Sequence, residues 1–274
     1  MTRVAVLGAA GRLGSTVCRY VEEAEDLELV AAVDPEAAGR RLAEVADVAG
    51  SALVIAGTIG AVVESAAEVA VDFTVAKAAV GNLGFLAANG VHAVCGTTGI
   101  GADELAKLAE AFSVLGGANC VLAPNFAISA VLALHFAELA APYFDSAEVI
   151  ELHHDEKRDA PSGTAIETAR RIAAAKQTSG GAFRPDPTSE IVLPGARGGA
   201  GPGGVRVHSV RLHGLVAHEE ILFGALGQSL TIRLDSYERS SFMPGVLLAI
   251  RRVGGLAGMT VGLDSLLGLG PTPR

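Results

Sequence analysis

Short all-apolar runs alternate along the first half of the chain with longer stretches whose apolar positions recur every three or four residues. That is the pattern of strands buried on both faces and joined by helices. Val4–Leu7 is the first such run, followed by a predicted helix over 15–23 and a second strand over 29–33. Residues 35–50 predict a helical excursion and 52–56 a short additional strand. Strands are then expected over 69–74, 91–95 and 120–122, with helices over 76–88 and 102–115 between them.

From residue 127 the pattern changes. A long helix is predicted to about Phe144, then a strand over 147–152, then a helix that Pro161-Ser162 announce and that runs to about Ala175. The stretch 177–204 is rich in Gly and Pro and reads as a loop, a candidate mobile cover over a site. Alternation resumes over 205–216, 218–224 and 229–235, the signature of strands in an antiparallel or mixed sheet. Helical periodicity over 240–253 then returns the chain to its first domain.

The first strand runs straight into Gly8-Ala9-Ala10-Gly11-Arg12-Leu13-Gly14. Glycines there let the backbone turn tightly and approach a pyrophosphate at a helix N-terminus. The spacing Gly-x-x-Gly-x-x-Gly differs from the commonest dinucleotide fingerprint and is a weak signal alone. It gains weight from Asp34, which ends the second strand where an acid would meet an adenosine ribose. The fold expected is therefore α/β. A Rossmann-like dinucleotide-binding domain spans 1–126, completed by 241–274. An α+β substrate-binding and oligomerisation domain with an open mixed sheet spans 127–240.

Polar chemistry is concentrated in Glu151-Leu152-His153-His154-Asp155-Glu156-Lys157-Arg158-Asp159-Ala160-Pro161-Ser162-Gly163-Thr164-Ala165. Successive strand residues face opposite sides, so His153 and His154 can serve different partners. The amides opening the helix after Ser162 have no partner within it and suit a carboxylate, with Lys157 and Arg158 adding positive charge. Histidine titrates near working pH and suits proton transfer. Asp155, Glu156, Arg158 and Asp159 read as solvated or structural.

Half of the 274 residues are apolar, enough for a substantial core, and the formal charge is −9. That balance argues against a nucleic-acid or anionic-membrane partner, and the most apolar stretch, 126–141, is interrupted by His135 and Glu138. The N-terminus enters a strand pattern without a leader signature. A cytoplasmic protein is expected. Cys18, Cys95 and Cys120 are widely separated and suggest buried thiols, with neither a disulfide nor a metal site. His135 reads as packed in its helix, and His208, His213 and His218 carry no metal spacing.

The run His-His-x-x-Lys-x-Asp-Ala-Pro-Ser-Gly-Thr-Ala over 153–165 resembles the signature of the 4-hydroxy-tetrahydrodipicolinate reductase (dihydrodipicolinate reductase) family, and the resemblance extends over essentially the whole chain. It implies reduction of a small cyclic dicarboxylate, 4-hydroxy-tetrahydrodipicolinate, to tetrahydrodipicolinate by NADH or NADPH, in lysine and diaminopimelate biosynthesis. By motif match His153 is the general acid/base, Lys157 a second proton donor that attracts carboxylates, and His154, Gly163 and Thr164 bind substrate. The family's cofactor segments map onto Gly8, Ala9, Ala10, Gly11, Arg12 and Leu13, onto Gly96, Thr97 and Thr98, and onto Ala123, Pro124, Asn125 and Phe126. A homotetramer is implied as well. The residues taken by themselves also admit another dicarboxylate or imine dehydrogenase, or a nucleotide-sensing protein without turnover.

Overall fold

The computed structural model of the chain describes residues 1–46, 48, 50–114 and 117–270. The predicted end of one helix at 115, parts of the excursion over 35–50 and the end of 241–274 lie outside those residues. Two compact units emerge, one of Met1–Phe126 with Phe242–Gly268 and one built on Ala127–Ser241.

The first unit is a parallel sheet. Its strands are β1 (Thr2–Leu7), β2 (Leu27–Val33), β3 (Val69–Asp72), β4 (His92–Cys95), β5 (Cys120–Leu122) and β11 (Met259–Val261), in the order β11-β5-β4-β3-β1-β2. Val4, Ala5 and Val6, the continuous apolar run of β1, are fully buried, as a central strand covered on both faces requires. Its helices are α1 (Arg12–Glu22), α2 (Leu42–Val45), α3 (Gly60–Glu64), α4 (Ala76–Ala88), α5 (Ala102–Ala111) and α8 (Met243–Val253). The strand order reverses at β1, which lies between β2 and β3, and ligands of such sheets bind at the strand ends beside that reversal.

Two expectations are corrected here. Residues 52–56 make only isolated bridges, Val33 with Ala56 and Arg41 with Val54, because the segment touches the sheet edge for one residue before turning away. The excursion after Asp34 is a 3-10 turn over Pro35–Ala37 and the single turn of α2. Helix α3 and strand β11 were not expected, being too short for periodicity to mark them.

The second unit contains α6 (Ile128–Ala140), β6 (Ser146–His153), α7 (Gly163–Thr178), β7 (Gly199–Ala200), β8 (Arg206–Arg211), β9 (Ala217–Ala225) and β10 (Gln228–Ser236). The strand order is β10-β9-β6-β8-β7, and the sheet is mixed because β6 and β8 run parallel while the other pairs are antiparallel. Ala147, Val149 and Glu151 on β6 are buried and the intervening residues only partly so, since α6 and α7 pack against this sheet.

The loop between α7 and β7 was expected to be a candidate mobile cover, yet its middle is fastened down. Arg197 Nη2 donates to Glu148 Oε1 at 2.7 Å and its Nε to Asp186 Oδ2 at 3.3 Å, while Arg206 pairs with Asp186 at 2.8 Å. Among the described residues no helix is long and apolar enough to cross a membrane.

Candidate active site

In the second unit the site grows from the end of β6. Glu151 and His153 are two apart on one strand and therefore share a face. Glu151 is fully buried with its carboxylate filled on both oxygens. Oε1 accepts from Arg211 Nη2 at 2.8 Å and from the Ser162 amide at 3.2 Å. Oε2 accepts from Arg211 Nη1 at 2.8 Å and lies 2.5 Å from His153 Nδ1. Burial alone would raise the Glu151 carboxyl, but hydrogen bonds from Arg211, Ser209 and His153 hold it below the usual carboxylate range.

Arg211 ends β8, directly opposite His153 in the parallel register. It also donates to the carbonyls of Lys157 at 3.3 Å and Asp159 at 2.6 Å. The 154–162 loop is thereby tied to the sheet by one guanidinium whose fork matches both a carboxylate and the loop's carbonyls. The Ala160-Pro161 peptide in this loop is cis.

Serine at 162 starts α7 because its side chain accepts from the Ala165 amide at 3.2 Å, the expected N-cap bond. With the Ser162 amide on Glu151 and the Ala165 amide on Ser162, the amides of Gly163 and Thr164 have no partner among the described residues. Gly163 is exposed and a side chain there would meet nothing within 4 Å. Those two donors at the positive end of a sixteen-residue helix can receive a carboxylate.

His153 is held below the usual histidine range, chiefly by burial, against the opposing pull of Glu151 and with Lys157 and Arg211 adding to the lowering. Lys157 Nζ donates to Asp159 at 2.8 and 2.9 Å, so Asp159, read from sequence as solvated or structural, is the lysine's anionic partner. His154 is half-buried, its amide on the Val216 carbonyl at 3.4 Å and its carbonyl accepting from the Lys157 amide at 3.2 Å. Three further histidines have acidic partners of their own, His208 on Glu148, His213 near Asp155 and His218 on Asp235.

In the first unit Gly8 has φ +75°, and its amide and that of Ala9 donate to the Val33 carbonyl. Asp34 accepts from the Ala10 amide with one oxygen and from the Glu36 amide with the other, both at 3.0 Å. It therefore shapes the glycine loop as well as ending β2. A Cβ at Gly14 would lie 1.9 Å from the Gly8 carbonyl oxygen, so only glycine lets α1 dock this closely on the loop. The amides of Arg12, Leu13 and Gly14 are unpaired among the described residues, and α1 has no acidic residue in its first turn. Such a cradle fits the pyrophosphate of a dinucleotide.

Two of the other expected cofactor positions have a clear structural duty. A Cβ at Gly96 would lie 2.1 Å from the Phe73 ring, so this glycine makes room for an aromatic side chain. Thr97 is buried, its hydroxyl donating to the Thr74 carbonyl at 3.0 Å, while Thr98 is exposed. Pro124 is exposed and Asn125 half-buried after β5, and Phe126 packs on Phe73 with ring centroids 5.7 Å apart. Sequence reasoning missed Asp72, a fully buried carboxylate that accepts from Thr74 and from Asn82 Nδ2 at 2.7 Å. It also missed Glu151 and Arg211, and a charged residue alternating with apolar ones in a strand is the only signal Glu151 carries.

Two family models match the chain in succession. The family model described as dihydrodipicolinate reductase, N-terminus, matches residues 2–126, and its C-terminus counterpart matches 129–267. A 4-hydroxy-tetrahydrodipicolinate reductase of Corynebacterium aurimucosum is 51% identical over 97% of this chain and 99% of its own length. One of Streptomyces coelicolor is 50% identical over 97% and 98%. Among solved structures, a dipicolinate-bound dihydrodipicolinate reductase from Paenisporosarcina sp. TG-14 has a TM-score of 0.85 at 38% identity, covering 97% of this chain and 99% of that one. An amine dehydrogenase from Mycobacterium smegmatis, 14% identical with a TM-score of 0.65 and covering 100% and 97%, shares the fold.

Proposed function

Because the chain belongs to the dihydrodipicolinate reductase family, we propose that its second unit holds the cyclic dicarboxylate and its first unit the nicotinamide cofactor. The reaction is the NAD(P)H-dependent reduction of 4-hydroxy-tetrahydrodipicolinate to tetrahydrodipicolinate, a step of lysine and diaminopimelate biosynthesis. Water leaves from the 4-hydroxyl position, C4 gains a hydride, and the ring gains one proton. The cofactor, when bound, supplies the hydride. Residues 8–13, 34, 96–98 and 123–126 hold it, at the carboxyl ends of four strands of the parallel sheet.

The Gly163 and Thr164 amides take one substrate carboxylate, and His154 adds a further binding group. Lys157 takes the second carboxylate or donates a proton. Its ammonium, held by Asp159 in the free site, exchanges that carboxylate for the substrate's. His153 delivers its proton from Nε2 and recovers it from solvent. The observation that carries these roles is the convergence of His153, Lys157 and the two free helix amides on one loop-and-cap structure.

The test is absorbance of NAD(P)H during reduction of freshly generated substrate. His153→Ala and Lys157→Ala should stay folded and lose about 10²–10⁴ in kcat, the usual worth of a positioned acid or base. Near-parental kcat in both would overturn the assignment. Pyridine-2,6-dicarboxylate, which the Paenisporosarcina enzyme is named as binding, should compete with the substrate and weaken with salt.

A homotetramer is also proposed, joined through the sheet face of the second unit that α6 and α7 leave open. Ile150, Leu152, Val210 and Leu222 lie there half-buried among charges such as Glu220 and Arg233. A sheet covered on one side needs a partner or a fully polar outer face.

A further inference from the structure

We infer that Glu151 is the positioning residue of the reaction: its buried carboxylate fixes the tautomer and orientation of His153 and so decides which imidazole nitrogen faces the substrate. The inference rests on the proposed acid role of His153.

A carboxylate offers about four acceptor sites and no donor. Those on Glu151 receive Arg211 Nη1, Arg211 Nη2, the Ser162 amide and the Ser209 side chain. The bidentate guanidinium matches the ionised form, which offers both oxygens as acceptors. Oε2 also faces His153 Nδ1 at 2.5 Å, and an ionised carboxylate can only accept. Nδ1 must therefore carry the hydrogen. Nε2 has no partner among the described residues, and the ring is 17% exposed, so Nε2 is left for exchange with a ligand.

The same carboxylate explains why the histidine can charge at all in a half-buried position between Lys157 and Arg211. Those two cations and burial oppose protonation, and Glu151 is the group that favours it. Arg211 in turn keeps Glu151 ionised beside Glu219, which lies directly across the β6–β9 pair. Charge thus alternates through the cluster from guanidinium to carboxylate to imidazole, an arrangement in which each group sets the state of the next.

A merely structural duty for Glu151 predicts something different from a positioning one, and a double-mutant cycle separates them. The proteins are the parent, Glu151→Gln, His153→Ala and the double variant, each assayed as the full chain for kcat, KM and pH profile. Positioning predicts that Glu151→Gln loses about 10–10² in kcat, as loss of an orienting partner to a functional histidine commonly does. It predicts a KM within a few-fold of the parent and a kcat profile whose histidine limb moves to lower pH. In the double variant the loss should equal that of His153→Ala alone, since removal of Glu151 then has nothing left to misplace. Rescue by Glu151→Asp should be partial. If His153→Ala is impaired but Glu151→Gln keeps the parental kcat and pH limb, or if the two losses multiply, the positioning inference is overturned and the role of His153 stands. If His153→Ala retains parental kcat, both readings fall. Should Glu151→Gln not fold, long-range ¹H–¹⁵N correlation on the parent decides the matter. Nδ1 protonated on neutral His153 is expected, and the Nε2–H tautomer overturns the inference.

Discussion

Thr168 and Glu219 show how a single hydroxyl proton constrains a buried acid. Thr168 Oγ1 lies 3.0 Å from the Thr164 carbonyl oxygen and 2.7 Å from Glu219 Oε1, both of which accept. One hydroxyl proton cannot satisfy two acceptors, and the conflict disappears when the Glu219 carboxyl is protonated and donates to Thr168. Burial pushes that carboxyl up to about 7, against the Thr168 hydrogen bond and with the neighbouring charge of Glu151 adding to the rise. Below about pH 4.5 the acid is protonated in both folded and unfolded chains. Between there and about 7 only the unfolded chain releases the proton, so stability falls as pH rises through that window, by about 3 kcal/mol in all. Glu219→Gln should flatten this slope in urea melts taken between pH 5 and 8. Parallel slopes in parent and variant would show that Glu219 titrates normally. Asp34 gives a second expectation at this scale. Its carboxylate can receive the ribose hydroxyls of NADH and repel the extra phosphate of NADPH, while exposed Arg12 attracts that phosphate. Both cofactors should be used within about two powers of ten in kcat/KM. Arg12→Ala should shift preference toward NADH and Asp34→Ala toward NADPH. Since Asp34 also holds the Ala10 amide, its removal should raise KM for both.

Among the elements, α1 and α7 have N-termini built in opposite ways. Helix α7 is capped by Ser162, whose removal by Ser162→Ala should cost about 1 kcal/mol. Helix α1 has no side-chain cap and begins at Arg12, three residues before the Ser15 start that sequence predicts. The helix starts earlier because the glycine loop delivers its amides uncapped, ready for a ligand. Gly14→Ala would place a methyl against the Gly8 carbonyl, and the clash should cost about 1–3 kcal/mol and weaken NADPH binding in a fluorescence titration. Unchanged melting and affinity would mean that α1 can shift without consequence. Helix α4 was read with its observed ends, Ala76–Ala88. Strand β8 stops at Arg211, short of the expected 216, because the chain turns at Leu212 with the Leu215 amide on the Leu212 carbonyl.

For the whole molecule, the second unit's sheet has a consequence in solution. Its open face carries apolar residues among ion pairs such as Arg233 with Asp235 and Glu220, and β10 is an edge strand. An edge of that length left bare invites pairing, and natural proteins cover it or charge it. Light scattering at micromolar concentration should return a mass near four chains. A monomer would remove the oligomer from the proposal. Leu222→Glu, on the open face, should lower the mass while leaving the fold of the unit intact.

Local order determined what could be read without a fold. Alternation and three-to-four-residue periodicity depend on neighbours in the chain, so the parallel strands, the long helices and the mixed sheet were legible. The glycine loop and the run 153–165 were legible too, because their chemistry is contiguous. What only tertiary structure decided are the pairings that hold the site. Glu151 meets Arg211 across 60 residues, Thr168 meets Glu219 across 51, and Thr97 reaches Asp72 across 25. Each depends on strand register and on which face a side chain takes when elements pack. A one-residue slip would send a strand residue such as Glu151, Arg211 or Glu219 to the other side of the sheet. Burial then sets their charge, and burial is a property of the packed chain rather than of any stretch of it.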